Sequence, residues 1–285
     1  MTPARHVSFR VAVVLAIAAQ FSVNAGSGFA VRAFEVTNAA AIVFLRNGLT
    51  ALVLLAVIRP QWRGVSRRAW TAVLCYGISM AVMNSVFYEA INLIDVGSAV
   101  TVEIMGPLVL SVVLVRRWTA WLWAVLAAVG VAMLSRFDFA AMTSAGTVLA
   151  ATAGVAWAGY IMSARWVGRE FTNLDGLVWA MVATALFTMP RGVIGLAQNP
   201  VTPTILLWGL VVALTGTLIP YWFEVIALRG MSAATFGVMT ALAPASAALL
   251  GWLIAGQALT WWVLGGMALV SVASAGAARG DPGHL

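Results

Sequence analysis

The sequence predicts an all-α integral membrane protein, built as ten transmembrane helices in two inverted five-helix repeats, residues 1–140 and 141–285. Three observations predict it. Ten apolar stretches fill the chain; at ~20 residues per crossing they consume about 200 of its 285 residues and leave only short connections. Landmarks of the first half recur in the second at a nearly constant offset. The arginines fall overwhelmingly on one side of the alternating loops.

The stretches follow in order. The first, residues 11–31, carries Gln20, Asn24 and Ser27 at mid-depth. Ser22, Gly26 and Ala30, spaced by four, let a neighbouring helix come close. Val23-Asn24-Ala25 satisfies a signal-peptidase rule, yet this stretch has a counterpart in the second half and is expected to stay. The second, 39–58, bears Arg46. In the third, 69–91, Tyr76, Met80, Asn84 and Tyr88 recur every four residues and share one slowly twisting face, while Cys75 packs as a small apolar side chain. The fourth, 97–115, holds Glu103 and Pro107. The fifth is 118–135. The sixth, 144–164, has Ala150, Gly154 and Ala158 spaced by four, beside Trp157 and Tyr160. The seventh is 176–196; the eighth, 204–226, contains Pro220 and Glu224; the ninth, 234–254, contains Pro244. The tenth, 261–278, opens on Trp261-Trp262, part of an interfacial belt with Trp62, Trp70, Trp118 and Trp166.

With the amino terminus in the cytoplasm, twelve arginines lie inside and only Arg32, Arg136 and Arg191 outside, which puts both termini in the cytoplasm of a multi-pass inner-membrane protein. The repeat shows in three places. Glu89 and Glu224 are 135 apart, each within an aromatic-Glu-apolar segment; Pro107 and Pro244 are 137 apart; Ala25-Gly26 and Ala158-Gly159 are 133 apart. An odd number of crossings per repeat inverts the second copy, the architecture of many secondary transporters with a site between the halves.

Composition closes off other functions. Hydrophobic residues make up 62% of the chain and charged ones 9%, against about a quarter in a soluble domain. The net charge of +7 reads as membrane orientation rather than nucleic-acid binding. There is no lysine, so neither a P-loop nor a Schiff base can form. His6 and His284 lie in the tails and Cys75 is the single cysteine, which speaks against metals, cofactors, disulfides and a membrane-embedded enzyme.

The candidate site residues each carry two readings. Gln20, Asn24, Ser27, Tyr76, Met80, Asn84, Tyr88, Trp157 and Tyr160 either line a substrate pocket or glue helices together. Arg46 and Glu103 both lie about 10 Å below the outer edge and are expected to pair, as a static bridge or as a gate with Glu103 carrying a proton. Pro107 and Pro244 are expected helix breaks that free the carbonyls of Glu103 and Thr240, for a polar cavity or for a neighbouring helix to satisfy. Glu89 and Glu224, near span ends, are expected at gate rims.

Phe87-Tyr88-Glu89-Ala90-Ile91 and Val102-Glu103-Ile104-Met105-Gly106-Pro107-Leu108 resemble the first half of bacterial threonine/homoserine exporters. Thr235-Phe236-Gly237-Val238-Met239, Ala241-Leu242-Ala243-Pro244-Ala245 and Ala247-Ala248-Leu249-Leu250-Gly251 resemble the second half. Both look like EamA-type repeats of the drug/metabolite transporter superfamily, and Leu45-Arg46-Asn47 resembles the arginine-bearing second helix of that repeat. The resemblance implies a ten-helix exporter of amino acids (threonine/homoserine-like, methionine or aromatic), facilitative or proton-driven; the inverted repeat adds the expectation of alternating access, and a monomer is expected. Its substrate would be a small zwitterion or amphipath. The alternative within the fold is a drug or other small-metabolite exporter. Gln257 stands where the family often has glutamate, and Val115-Arg116-Arg117 replaces the matching glycine–glutamate element of the first half.

Overall fold

Lipid offers the backbone no hydrogen-bond partner, so each apolar crossing must be helix. The computed structural model describes residues 7–34, 36–91, 93–94, 96–135, 143–171, 173–198, 202–255 and 260–279. The side chains of Ser27 and Tyr88, and the segment containing Gln257, lie outside the described residues. The helices are α1 (Phe9–Phe34), α2 (Ala39–Ile58), α3 (Arg67–Ile91), α4 (Val96–Val115), α5 (Trp118–Leu134), α6 (Ser144–Glu170), α7 (Asp175–Gln198), α8 (Pro203–Ala213), α9 (Ile219–Gly230), α10 (Ala233–Met239), α11 (Leu242–Ala255) and α12 (Trp261–Arg279). The described residues contain no strand.

These make ten crossings, because α8 with α9 and α10 with α11 are each one. Nine have 18 or more residues, and α5 has 17, near the minimum for a bilayer. Local signals set the starts. Asn38 caps α2 by accepting from the Ala41 N–H at 2.9 Å, and Thr143 caps α6 through the Gly146 N–H at 3.1 Å. Thr202 caps α8 ahead of Pro203, whose missing N–H costs nothing in a first turn.

Two crossings depart from the expected single helices. A wider π-type turn, Leu214–Leu218, joins α8 to α9 just before Pro220. Pro220 has no N–H to return to Thr215, five residues back, and α1 supplies that donor instead, while α2 adds a bond to the carbonyl just before the turn. Ser22 Oγ donates to the Thr215 carbonyl at 2.6 Å and Thr50 Oγ1 to the Ala213 carbonyl at 3.2 Å. The ninth crossing is interrupted at Thr240–Ala241, where the Ala243 N–H turns back to the Thr240 carbonyl at 3.0 Å. Pro244 thus accompanies a break, whereas α4 runs unbroken through Pro107, contrary to the symmetrical expectation.

Helix contacts come in sets that survive exchange of the halves. α3 packs on α6, and α1 on α9; α4 on α6, and α1 on α11; α3 on α7, and α2 on α8. The pairs α2 with α7, α5 with α12 and α4 with α10 map onto themselves. Small residues permit the tightest approaches. A Cβ on Gly26 would fall on the Gly216 backbone, and one on Gly106 would fall on Gly154. The largest apolar cluster lies among α3, α6, α7 and α9, around Tyr76, Met80, Tyr160, Leu177 and Met181; a second joins α4, α5, α10 and α12. The bundle's outside is apolar too, with Val14, Leu52, Val57, Val109, Trp121, Val155 and Leu207 exposed, as a surface facing lipid requires. Cys75 also lies on that surface rather than packed inside.

Candidate substrate cleft

A cleft of about 470 Å³ enters the bundle between α2, α3 and α7, at the end opposite the chain termini. Asn38 forms part of its rim and ties two walls together, since its Nδ2 donates to the Gly195 carbonyl at 2.9 Å. Ala39, Ala40 and Val43 of α2 line one side. Ser85 and Asn84 of α3 and Thr188 and Ile194 of α7 line the others. At the mouth, Arg191 Nη1 meets Glu89 Oε1 at 3.0 Å with both side chains largely in solvent. Exposed pairs of this kind contribute about 0–1 kcal/mol, so this contact bridges the walls without locking them.

The base of the cleft is polar. Ala39, Val43 and Arg46 share a face of α2 by spacings of four and three, so Arg46 lies one turn below Val43. Its Nη2 donates to Asn84 Oδ1, and Asn84 Nδ2 donates to the Met80 carbonyl at 2.9 Å. Arg46 and Glu103 do not pair, although sequence depth alone put them together. Equal depth says nothing of azimuth; α2 turns its arginine toward α3, and Asn84 takes the position expected of the carboxylate. Glu103 is buried, 8% exposed, with no hydrogen bond or ion pair among the described residues.

Below Asn84 the same face of α3 enters packed core. Tyr76 and Met80 have no exposure. The Tyr76 ring meets Tyr160 edge-on at 5.1 Å, and Tyr160 lies 5.8 Å from Tyr221. The Tyr160 hydroxyl donates to the Glu224 carboxylate, while the Tyr76 hydroxyl is buried without a partner among the described residues. Glu224 is only 5% exposed, so it is a core residue and not a rim residue. The helix of α9 extends a further turn past its apolar sequence to Gly230, which moves Glu224 inward from the end.

The terminus-bearing end is stitched across the halves. Arg68 Nε meets Glu170 Oε1 at 2.9 Å, and the Gln61 N–H donates to Asp175 Oδ2 at 3.2 Å. Within the second half, Arg229 bonds to the Phe171 and Asn173 carbonyls at 2.9 and 2.8 Å.

The remaining predicted residues sit away from the cleft. Asn24 Nδ2 reaches the Ala243 carbonyl at 2.9 Å, Ser246 Oγ at 2.7 Å and the Gln20 carbonyl at 2.9 Å, so it straps α1 to the start of α11 beside the helix interruption. Gln20 is buried, and Trp157 packs against both apolar clusters. The Glu103 carbonyl that Pro107 frees faces Gly154, whose missing side chain lets α6 backbone cover it. The carbonyl expected to border a cavity is therefore buried at a helix contact.

Asn38, Thr188, Arg191 and Tyr221 were missed. Arg191 had a readable signal: it follows Pro190 inside the seventh apolar stretch, not in a loop. Tyr221 stands three residues before Glu224 on the same helical face. Asn38 carried only the cap signal of α2.

Residues 144–278 match the EamA-like transporter family. The threonine/homoserine exporters RhtA of Escherichia coli (strain K12) and Salmonella typhimurium (strain LT2) are each 31% identical to the chain over 250 residues, covering 87% of it and 84% of their own length. One crystal structure, 18% identical, superposes with a TM-score of 0.74 over 93% of this chain and 96% of its own, a likeness of fold.

Proposed function

The chain belongs to the EamA-like transporter family of the drug/metabolite transporter superfamily, and from that premise we propose that it exports amino acids of the threonine/homoserine type across the inner membrane by alternating access. It is a transporter and not an enzyme. The observation that carries the substrate class is the 31% identity to a threonine/homoserine exporter over 87% of the chain.

The geometry supports the mechanism. One polar-based cleft opens at one end, while the continuation of its α3 wall is sealed by tyrosines at the other. The exchange-related helix contacts support two inverted halves, 1–140 and 141–285, that swap conformations. The arginine bias supports cytoplasmic termini, and with them a cleft that faces outward and a tyrosine cluster that closes the inner side. Glu103, buried without a partner among the described residues, is the candidate proton carrier of a monomeric exporter.

Purified protein in liposomes tests this directly. It is expected to release labelled threonine or homoserine faster than protein-free vesicles, and an imposed pH gradient is expected to change the rate. Equal rates across a broad amino-acid panel would remove the reading.

A further inference from the structure

We infer that Arg46 is the receptor for the substrate's carboxylate, with Asn84 holding its guanidinium in place. The inference rests on the amino-acid reading above and specifies the site it uses.

A guanidinium within a membrane span needs a counter-charge or water. Arg46 has neither an acidic partner nor a full set of acceptors among the described residues. Its one hydrogen bond runs from Nη2 to the neutral Asn84 Oδ1, and its Nε is buried without an acceptor. Glu103 leaves it unneutralised, and Glu89 is engaged by Arg191 at the mouth. Asn84 itself lines the cleft, and the half-buried Arg46 stands directly behind it, one side chain away from the space a substrate enters. The guanidinium fork matches a carboxylate in the bidentate geometry that makes charge-assisted hydrogen bonds strong. Asn84 is fixed from behind by its own bond to the Met80 carbonyl, which turns its oxygen toward Arg46 and holds the guanidinium in place.

The same arrangement explains a neutral amide at position 84. A carboxylate there would close an internal ion pair and occupy the donors that a substrate requires. Arg46 with Asn84 holds a cation in reserve, whereas arginine with aspartate would satisfy it permanently.

The test is competition against labelled threonine transport in liposomes, comparing threonine with threoninamide, which keeps the amine and side chain but has no carboxylate. In the wild type, threonine is expected to compete about tenfold or more better than threoninamide, the factor that a charge-assisted bidentate contact supplies. In Arg46→Gln that ratio is expected to collapse toward one. Asn84→Asp guards against misfolding, because it adds a partner for Arg46 instead of removing one. Its melting temperature is expected to hold or rise while threonine affinity falls about tenfold. A ratio preserved in Arg46→Gln, or wild-type affinity in a folded Asn84→Asp, overturns the assignment while leaving amino-acid export standing. A wild type that moves no amino acid overturns the parent reading, and the assignment with it.

Discussion

The Tyr160 hydroxyl donates its hydrogen bond to the Glu224 carboxylate inside the core, where α6 and α9 meet beneath Tyr76 and Tyr221. Neither residue has more than 5% of its surface exposed. A carboxyl group so placed depends on its one donor, and the pair ties two helices of the sealed end together. Tyr160→Phe is therefore expected to destabilise the protein by about 1–3 kcal/mol, since it leaves a buried acceptor unmade. Glu224→Gln keeps an acceptor for the hydroxyl and is expected to cost less. Thermal melting in detergent checks the order; a Tyr160→Phe protein as stable as wild type would show that the bond contributes nothing.

The mouth pair behaves differently. Glu89 and Arg191 meet at 3.0 Å with 50% and 62% of their side chains exposed. A double-mutant cycle on stability is expected to give a coupling below about 1 kcal/mol. Transport is the more sensitive readout. Glu89→Arg sets two cations across the cleft and is expected to slow export, and adding Arg191→Glu is expected to restore most of the rate. Failure of the swap to restore it would remove any role for the contact in passage through the mouth.

How much of this was legible depends on what periodicity encodes. Ten crossings, their bounds to within about two turns and close-packing glycines such as Gly26 and Gly154 follow from apolar runs and small-residue spacing. Position along a helix follows as well, so Arg46 reads from the sequence as lying about seven residues into α2. Azimuth does not: α2 carries apolar residues on every side, so no polar face told which neighbour Arg46 would meet. The α3 stripe from Tyr76 to Asn84 was readable as a face, but the point where cleft gives way to packed core was not, because that depends on which conformation of the bundle is assembled. The unequal outcomes of Pro107 and Pro244 were hidden for a similar reason. Gly154, on a distant helix, covers one freed carbonyl, while the other, on Thr240, accepts from the Ala243 N–H in a local turn that no apolar run announces.

Asn24 separates positioning from substrate contact. Its amide bonds to Ala243 and Ser246 and lies outside the cleft. Asn24→Ala is expected to lower stability by about 1–3 kcal/mol and to reduce the rate for every substrate in proportion. A changed preference between threonine and homoserine, with stability intact, would instead place Asn24 in contact with the substrate.

The α4–α6 contact gives the sharpest steric test. A Cβ on Gly154 would fall on the Glu103 carbonyl oxygen, which is backbone and cannot rotate aside. The same approach covers the carbonyl that Pro107 leaves without its N–H, so separating the helices both opens a packing gap and exposes an unpaired acceptor to lipid. Gly154→Ala is expected to cost at least about 1–3 kcal/mol and to cut the folded yield. Gly28 provides the control, because a Cβ there meets nothing within 4 Å. Alanine removes backbone freedom from the unfolded chain and suits a helix, so Gly28→Ala is expected to be neutral or stabilising by up to about 1 kcal/mol. Size-exclusion profiles and melting temperatures of the two variants decide the matter. Equal tolerance at both positions would mean that α4 and α6 do not touch through backbone, and that the carbonyl freed by Pro107 is satisfied in some other way.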